Sequence, residues 1–552
     1  MKALREHCQN RLASLKAVRQ DYEDEWRQIA KFAQPARSRF LSGATSQTDK
    51  GDMRRAWNKR LFDPHGIEAF RTLTNGMTSG LTSASRPWFT LRLPDEDLNE
   101  QEGVRQWLSE VETRMYAFLA GTNFYGAVKD GYGEMGLFGT EACVMVEHRT
   151  EGAVCHSLTA GEYWIGLGDA MVPDTLARIC PLTARQIVQM FDKDAPKHVI
   201  DSYDSGNQDR VVNIYQLIER NTDHDPERFG SKEWRSVYWD LQGRDDELLR
   251  VSGFDEQPFW APRWSVAGGD TYGVSPGMES LPALRELQMQ AKRRQEAMDF
   301  AVHPEKIVKA GIRLTGEPRR VVSASSFDKD SVLVPYQMPY QVIAAIGEQM
   351  NDVKAQIDGL SYADLFNAIT NMRGIQPRNV EEIASRNEEK LTQLGPVIER
   401  VSNEKLEVAV ERTFGIMSRG RMLPPAPSAI ADMKINVEFV SILTQMQRAV
   451  GIGQIERTVG FVGNLAAAKP EVLDKLDTDE LVDEYASRAG TSPKLIRSAK
   501  DVAAIREQRA NQESAAQAAA MMPAAKDGAQ AARLLSETDV GGKPLLDQLA
   551  GA

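Results

Sequence analysis

The sequence predicts an α+β fold that is predominantly helical. Three observations carry this reading. Apolar residues recur at steps of three and four over long stretches near the start of the chain and again beyond residue 275. Between Thr140 and Trp264 the period drops to two. With 552 residues, the chain is also long enough to bury a large core without disulfide or metal staples, in about three or four domains.

Residues 4–33 form one long, highly charged helix with Tyr22, Trp26, Ile29 and Ala33 on one stripe. A polar stretch from Pro35 to about Asp52 follows as a loop or arm. A second helix spans about Pro64 to Leu81. It gives way at Arg86-Pro87-Trp88-Phe89 to a strand over residues 88–93, because Pro87 biases its neighbour to extended backbone. A third helix covers about Glu102 to Leu119. In the period-two region, the strand candidates are Ala142–Val146, Val211–Tyr215, Arg235–Trp239 and Phe259–Trp264. Few helical crossovers separate them, so they are expected to pair mostly antiparallel.

Helix returns at Ser275-Pro276, a cap followed by proline in the first turn, and runs to about Val302. A β-rich segment with several basic residues follows from His303 to Tyr340. The next helix carries the cleanest stripe in the chain: Ile343, Ile346, Met350, Val353 and Ile357. A Gly/Pro loop occupies residues 367–377, and a long helix covers about Arg378 to Met417 with a kink at Gly395-Pro396. Pro424-Pro425-Ala426-Pro427 is a stiff connector, Ile435–Val440 a last strand, and the rest helical. From Ala503 the sequence is dominated by Ala and Gln. A helix so weakly amphipathic is expected either to be disordered or to gain order by packing against copies of itself.

Charge and cysteine usage exclude several classes. The net charge is −11, which argues against a protein that coats nucleic acid, since tight backbone binding needs clustered cations. It is compatible with an acidic wall past which a duplex slides. The four cysteines Cys8, Cys143, Cys155 and Cys180 form no CxxC pair, so neither a zinc site nor a redox dithiol is expected. The segment Met1–His7 lacks the apolar core of a signal peptide, and no run approaches the length of a membrane helix. Synthesis and assembly in a cytoplasm are expected.

Few motifs carry chemistry. Gly273-Val274-Ser275-Pro276-Gly277 fits the GxSxG hydrolase pattern. The residue after the serine is a proline, however, and lacks the N–H that an oxyanion hole requires. A helix cap is the better reading. Gly541-Gly542-Lys543-Pro544 lacks the hydroxyl residue of a phosphate-binding loop and reads as a turn. His148, His156, Cys143 and Cys155 fit no common zinc spacing, and Asp245-Asp246 and Glu381-Glu382 read as solvated faces. No catalytic, cofactor or metal residue is assigned. Lys292, Arg293 and Arg294 form a basic cluster: either a solvated face with inter-subunit ion pairs, or a weak contact with a passing phosphate backbone. Arg373 and Arg378 carry the same two readings.

The string Thr74-Asn75-Gly76-Met77-Thr78-Ser79-Gly80-Leu81-Thr82-Ser83, followed by Arg86-Pro87-Trp88-Phe89, resembles the head-to-tail connecting (portal) proteins of short-tailed bacteriophages. So do the opening helix with Trp26 and Ile29 before Pro35-Ala36-Arg37, and Tyr272–Met278 leading into a long helix. The order of elements is similar from about residue 4 to 450. The resemblance implies a structural, non-enzymatic subunit of a ring, twelve copies around a channel for double-stranded DNA at one capsid vertex. Its implied partners are capsid and scaffold proteins, the terminase, and later tail or adaptor proteins, with no membrane and no cofactor. It also implies the parts: a wing (1–274 with 360–440), a stem of two helices (275–302 and 341–359), a clip (303–340), a crown (441–502) and an Ala/Gln-rich barrel or tail (503–552). A tunnel loop near 367–378 would place Asn371, Met372, Arg373, Gly374 and Arg378 at the channel. Lys306, Lys309, Arg313, Arg319 and Arg320 would form the docking surface of the clip. The striped helices are expected to bury their apolar faces against neighbouring copies. The alternatives are another head-tail assembly protein (adaptor or scaffold) and a serine hydrolase.

Overall fold

The computed structural model describes residues 2–35, 61–99, 101–225, 227–228, 230–242, 248–308, 332–335, 338–370, 388–427, 430, 436–440, 452–466, 469–488, 502–512 and 533. They fall into two compact units, residues 1–450 and 451–552. No described helix is long and apolar enough to cross a membrane.

The first unit opens with helix α1 (Lys2–Ala33), matching the predicted helix. Its first half lies on a five-stranded antiparallel sheet of β4 (Tyr163–Leu167), β5 (Pro173–Thr183), β6 (Val211–Arg220), β7 (Trp234–Asp240) and β8 (Arg250–Phe254), paired in that order. Successive strand residues point to opposite faces, and the sequence uses both. Tyr215, Leu217, Val237 and Trp239 face Cys8, Leu12 and Leu15 of α1. Val212, Ile214 and Tyr238 face the short helices α5 (Ala184–Phe191) and α6 (Lys197–Asp204) on the other side. The second half of α1 turns its stripe into the main core. There Trp26 meets Tyr272 edge-on with ring centroids 5.2 Å apart, and Ile29 and Ala33 are fully buried.

That core is built from α2 (His65–Leu81), α3 (Glu102–Gly121) and α4 (Phe124–Phe138), beneath a three-stranded sheet of β3 (Gly152–Leu158), β2 (Ala142–His148) and β9 (Phe259–Trp260). The predicted strand Phe259–Trp264 is cut to two residues. Pro262 has no N–H to offer a ladder, and beyond it only an isolated bridge from Arg263 to Thr140 remains. A separate antiparallel pair joins β1 (Phe89–Arg92) to β12 (Asn436–Phe439), in register from Phe89 opposite Phe439 to Arg92 opposite Asn436. Residues on either side of the long helical pair therefore share one sheet. All strand pairings in the described residues are antiparallel, as expected.

The predicted single helix from Ser275 is two helices. A one-turn helix α7 (Pro276–Glu279) ends at Ser280, and α8 (Leu281–Val302) begins after it. Pro282 explains the break: in a continuous helix its ring would meet the carbonyl of Met278. Strands β10 (Ile307–Val308) and β11 (Val332–Leu333) pair just beyond α8, and α9 (Tyr340–Leu360) returns alongside it. The loop was expected from Asn367, but residues 367–370 are helical, as the end of α10 (Ala363–Thr370). The predicted helix 378–417 is described from residue 388, as α11 (Glu388–Val401, with Pro396 inside it), a π-helical turn (Ser402–Glu407) and α12 (Val408–Arg419). The wider π turn buries Ser402, Glu404, Lys405 and Leu406 together.

The second unit contains α13 (Ile452–Ala466), a 3-10 helix (Pro470–Lys475), α14 (Thr478–Arg488) and a helix over 502–512. Arg506 forks onto both carboxylate oxygens of Asp479 at 2.5 and 2.7 Å.

Candidate functional site

The hairpin of α8 and α9 is the candidate functional element, and its root is fixed by polar contacts. Gln288 clamps the backbone ahead of α2: its Oε1 accepts from Phe62 N (2.8 Å) and Asp63 N (3.2 Å), while its Nε2 donates to Asp63 O (2.7 Å). Lys354 Nζ meets Asp63 Oδ2 at 2.7 Å, and His65 Nε2 meets Asp358 Oδ1 at 2.9 Å. Both helices are thereby tied to the same short segment.

The stripe of α9 behaves differently from expectation. Ile343, Met350, Val353 and Ile357 are buried within one copy of the chain, and Ile346 is partly so. The apolar faces of α8 and α9 satisfy each other, because two antiparallel amphipathic helices complete one another's stripes. The expectation that only neighbouring copies could cover them is corrected. The outside of the hairpin mixes charged residues with exposed Met289 and Met298 along α8, and is apolar at its end, where Val302, Ile307, Leu333, Tyr340 and Val342 are exposed.

Lys292, Arg293 and Arg294 are all exposed but do not form one patch. Consecutive helical residues lie about 100° apart, so Lys292 and Arg293 border the side of α8 away from its buried face, while Arg294 falls on another. Arg294 leans toward α9, with its guanidinium carbon 3.9 Å from where a Cβ on Gly347 would stand. Lys292 points away, with Nζ 3.6 Å from Glu296. Lys306 is exposed at the start of the segment after α8. Lys309, Arg313, Arg319 and Arg320, and the loop residues Asn371, Met372, Arg373, Gly374 and Arg378, lie outside the described residues, as do Asp245-Asp246, Glu381-Glu382 and Gly541–Pro544.

Behind the hairpin lies a set of buried ion pairs that sequence reading missed. Lys405 Nζ sits 2.7 Å from Glu141 Oε2, both side chains fully buried. Trp260 Nε1 donates to Glu141 Oε1 at 3.0 Å, and Lys405 stands 3.7 Å over the Tyr132 ring. Burial pushes the Glu141 carboxyl up and the Lys405 ammonium down, and their mutual attraction opposes both shifts. Next to it Arg263 Nη2 donates to Glu404 Oε1 at 2.8 Å. Arg412 Nη1 donates to Glu256 Oε2 at 2.6 Å, and at the exposed rim of this set Arg419 bridges Glu147 (2.6 Å) and Glu256. Together they pin the segment 402–419 to the three-stranded sheet. The partners are more than a hundred residues apart in the chain, so no local spacing announces them.

Ser275 is not a nucleophile. Its hydroxyl donates to Leu137 O (2.8 Å) and accepts from Met278 N (3.1 Å), and the residue is 1% exposed. Ser275→Ala is expected to lower stability by about 1–3 kcal/mol, through loss of the cap and an unpaired carbonyl. Thermal unfolding checks it; an unchanged melting temperature would contradict the cap assignment. The histidines and cysteines of the β2–β3 hairpin do not converge either. Register pairs Val144 with His156 and Met145 with Cys155, so Cys143 and Cys155 share one face while His148 and His156 lie on the other.

The polar groups just described are engaged in holding the fold together. The model of the family described as bacteriophage head to tail connecting protein matches residues 5–496, and the chain belongs to that family: it is a portal, or connector, subunit of the phage capsid. It is 35% identical to the portal protein of Salmonella phage epsilon15, across 99% of this chain and 98% of that one. It is 34% identical to the probable portal protein of Bordetella phage BPP-1, across 96% and 95%. Two solved structures are similar at 14% identity, each over 74% of this chain. One is the neck of an empty gene transfer agent particle (TM-score 0.34, 90% of that chain) and the other the virion of a native gene transfer agent particle (TM-score 0.32, 89%).

Proposed function

We propose that copies of this chain close into a ring, twelve in number, at one vertex of the capsid, around a channel through which double-stranded DNA is packaged and later ejected. The observation that carries the reading is the family match over residues 5–496. The arrangement of the first unit supports it. The β1–β12 pair joins the parts before and after the hairpin into one body, the wing of 1–274 and 360–440. The stem is then 275–302 with 341–359, the clip 303–340, the crown 441–502 and the barrel or tail 503–552. Exposed Val302, Ile307, Leu333 and Tyr340 at the end of the hairpin suit protein docking, since contiguous exposed apolar residues mark interaction sites.

Terminase docks there during packaging and tail or adaptor proteins afterwards, with Lys306, Lys309, Arg313, Arg319 and Arg320 supplying charge. Asn371, Met372, Arg373, Gly374 and Arg378 form the tunnel loop toward DNA. Capsid and scaffold proteins meet the wing, assembly takes place in the host cytoplasm, and the finished ring stays in the virion. A net charge of −11 per copy keeps the duplex free to slide. Negative-stain microscopy of the purified chain is expected to show rings with a central hole. A uniform population of solitary particles at every protein concentration would overturn the proposal.

A further inference from the structure

Charge along the hairpin points to which faces of neighbouring copies meet. On α9 the face opposite the buried stripe carries Glu348 and Asp352, one turn apart and both exposed. Lys354, the only base of that helix, is turned inward to Asp63. On α8 the outward side carries Lys292, flanked by Arg293, with Met289 exposed one turn before it and Glu296 one turn after.

The two sets stand at nearly the same height. Gln349 Nε2 donates to Glu286 Oε1 at 3.4 Å, Arg294 reaches Gly347, and Gln288 and Lys354 both contact Asp63. These contacts place Glu348 within about one helical turn of the level of Lys292. Nearer the end of the hairpin, Glu296 and Asp299 of α8 are level with Gln341, Val342 and Ala345 of α9, which carry no charge.

Rotation about an axis parallel to the hairpin preserves height, and a ring built that way is heterologous: one face of each copy meets the opposite face of the next. We infer that the outward face of α8, through Lys292 and Arg293, docks on the outward face of α9 of a second copy of this chain, through Glu348 and Asp352. This rests on the ring reading above. Lys292 gives up little in exchanging Glu296 for an acid of the neighbour, since an exposed pair within one helix contributes weakly. The match also sets direction: α8 against α8 would bring bases together, and α9 against α9 acids.

The test is a charge swap in the full chain, read by the fraction of ring in native mass spectrometry at low salt. Lys292→Glu with Arg293→Glu, and separately Glu348→Lys with Asp352→Lys, are each expected to cut the ring fraction by about tenfold or more. The four substitutions combined are expected to restore most of it, and added salt to weaken the wild-type ring. Because all four positions are exposed, melting temperatures are expected to stay unchanged. Wild-type rings together with unimpaired double variants, or a combined variant no better than either double variant, would overturn this interface while leaving the ring intact. A wild-type chain that never forms rings would overturn the ring reading itself, and the interface with it.

Discussion

Replacing Lys405 with Ala is expected to destabilise the chain by about 3–5 kcal/mol, the usual cost of removing one partner of a buried pair. Glu141 would keep one donor, Trp260 Nε1, and lose the cation 2.7 Å away in a site closed to water. The remaining carboxylate must then either stay charged without its partner or take up a proton, and both options weaken the folded state. The effect should be local to the join between the π-helical turn and the sheet at β2. Lys405→Met combined with Glu141→Gln is expected to recover much of the loss, because paired apolar or neutral replacements of a buried ion pair are often tolerated. Denaturant unfolding of the parent and the two variants checks this. A Lys405→Ala variant as stable as the parent would show that the pair contributes nothing to the fold.

The second large effect lies where two backbone segments touch. Gly139 has φ +77°, and a Cβ there would stand 1.9 Å from the carbonyl oxygen of Gly273. The same contact is sealed by Trp264 N donating to Gly139 O at 2.8 Å and by Gly273 N donating to Thr140 Oγ1 at 3.0 Å. No rotamer change relieves a clash with backbone, so Gly139→Ala is expected to abolish soluble folded protein. Gly206 is the control. Its φ is +85°, and no atom stands within 4 Å of its would-be Cβ. Gly206→Ala is thus expected to cost only the left-handed conformation, about 1–2 kcal/mol. Soluble yield and melting temperature compare the two, and equal behaviour would contradict the close-approach explanation.

These two sites also show what the sequence could and could not reveal. Elements with a clear period were legible: α1, α2, α3 and α9, the strands β2, β6 and β7, and the β12 strand near residue 436. The helix Phe124–Phe138 was not, because Gly126, Gly131, Gly133 and Gly136 disguise it. Two of those glycines are there for contact: a Cβ on Gly136 would strike Leu73, and one on Gly131 the Glu141 carboxylate. The helix α5 was missed too; the one local signal that could have found it is its capping box, in which Thr183 and Gln186 bond reciprocally. The striped helices were found correctly, but their partner was misjudged. Periodicity says that a face must be covered and is silent on whether the cover comes from the same chain. Likewise, basic neighbours such as Lys292, Arg293 and Arg294 read as one cluster in sequence and separate around the helix. The ion pairs Glu141–Lys405 and Arg263–Glu404 join segments that meet only after folding.

The central claim is that the α8–α9 hairpin stands beside an open bore in a closed ring of these chains. A cryo-electron microscopy reconstruction of the assembled particle tests it most directly. A ring with cyclic symmetry is expected, its axial opening wide enough for a duplex, with α8 and α9 of every copy running along that opening. A closed axis, or hairpins splayed outward away from it, would contradict the account.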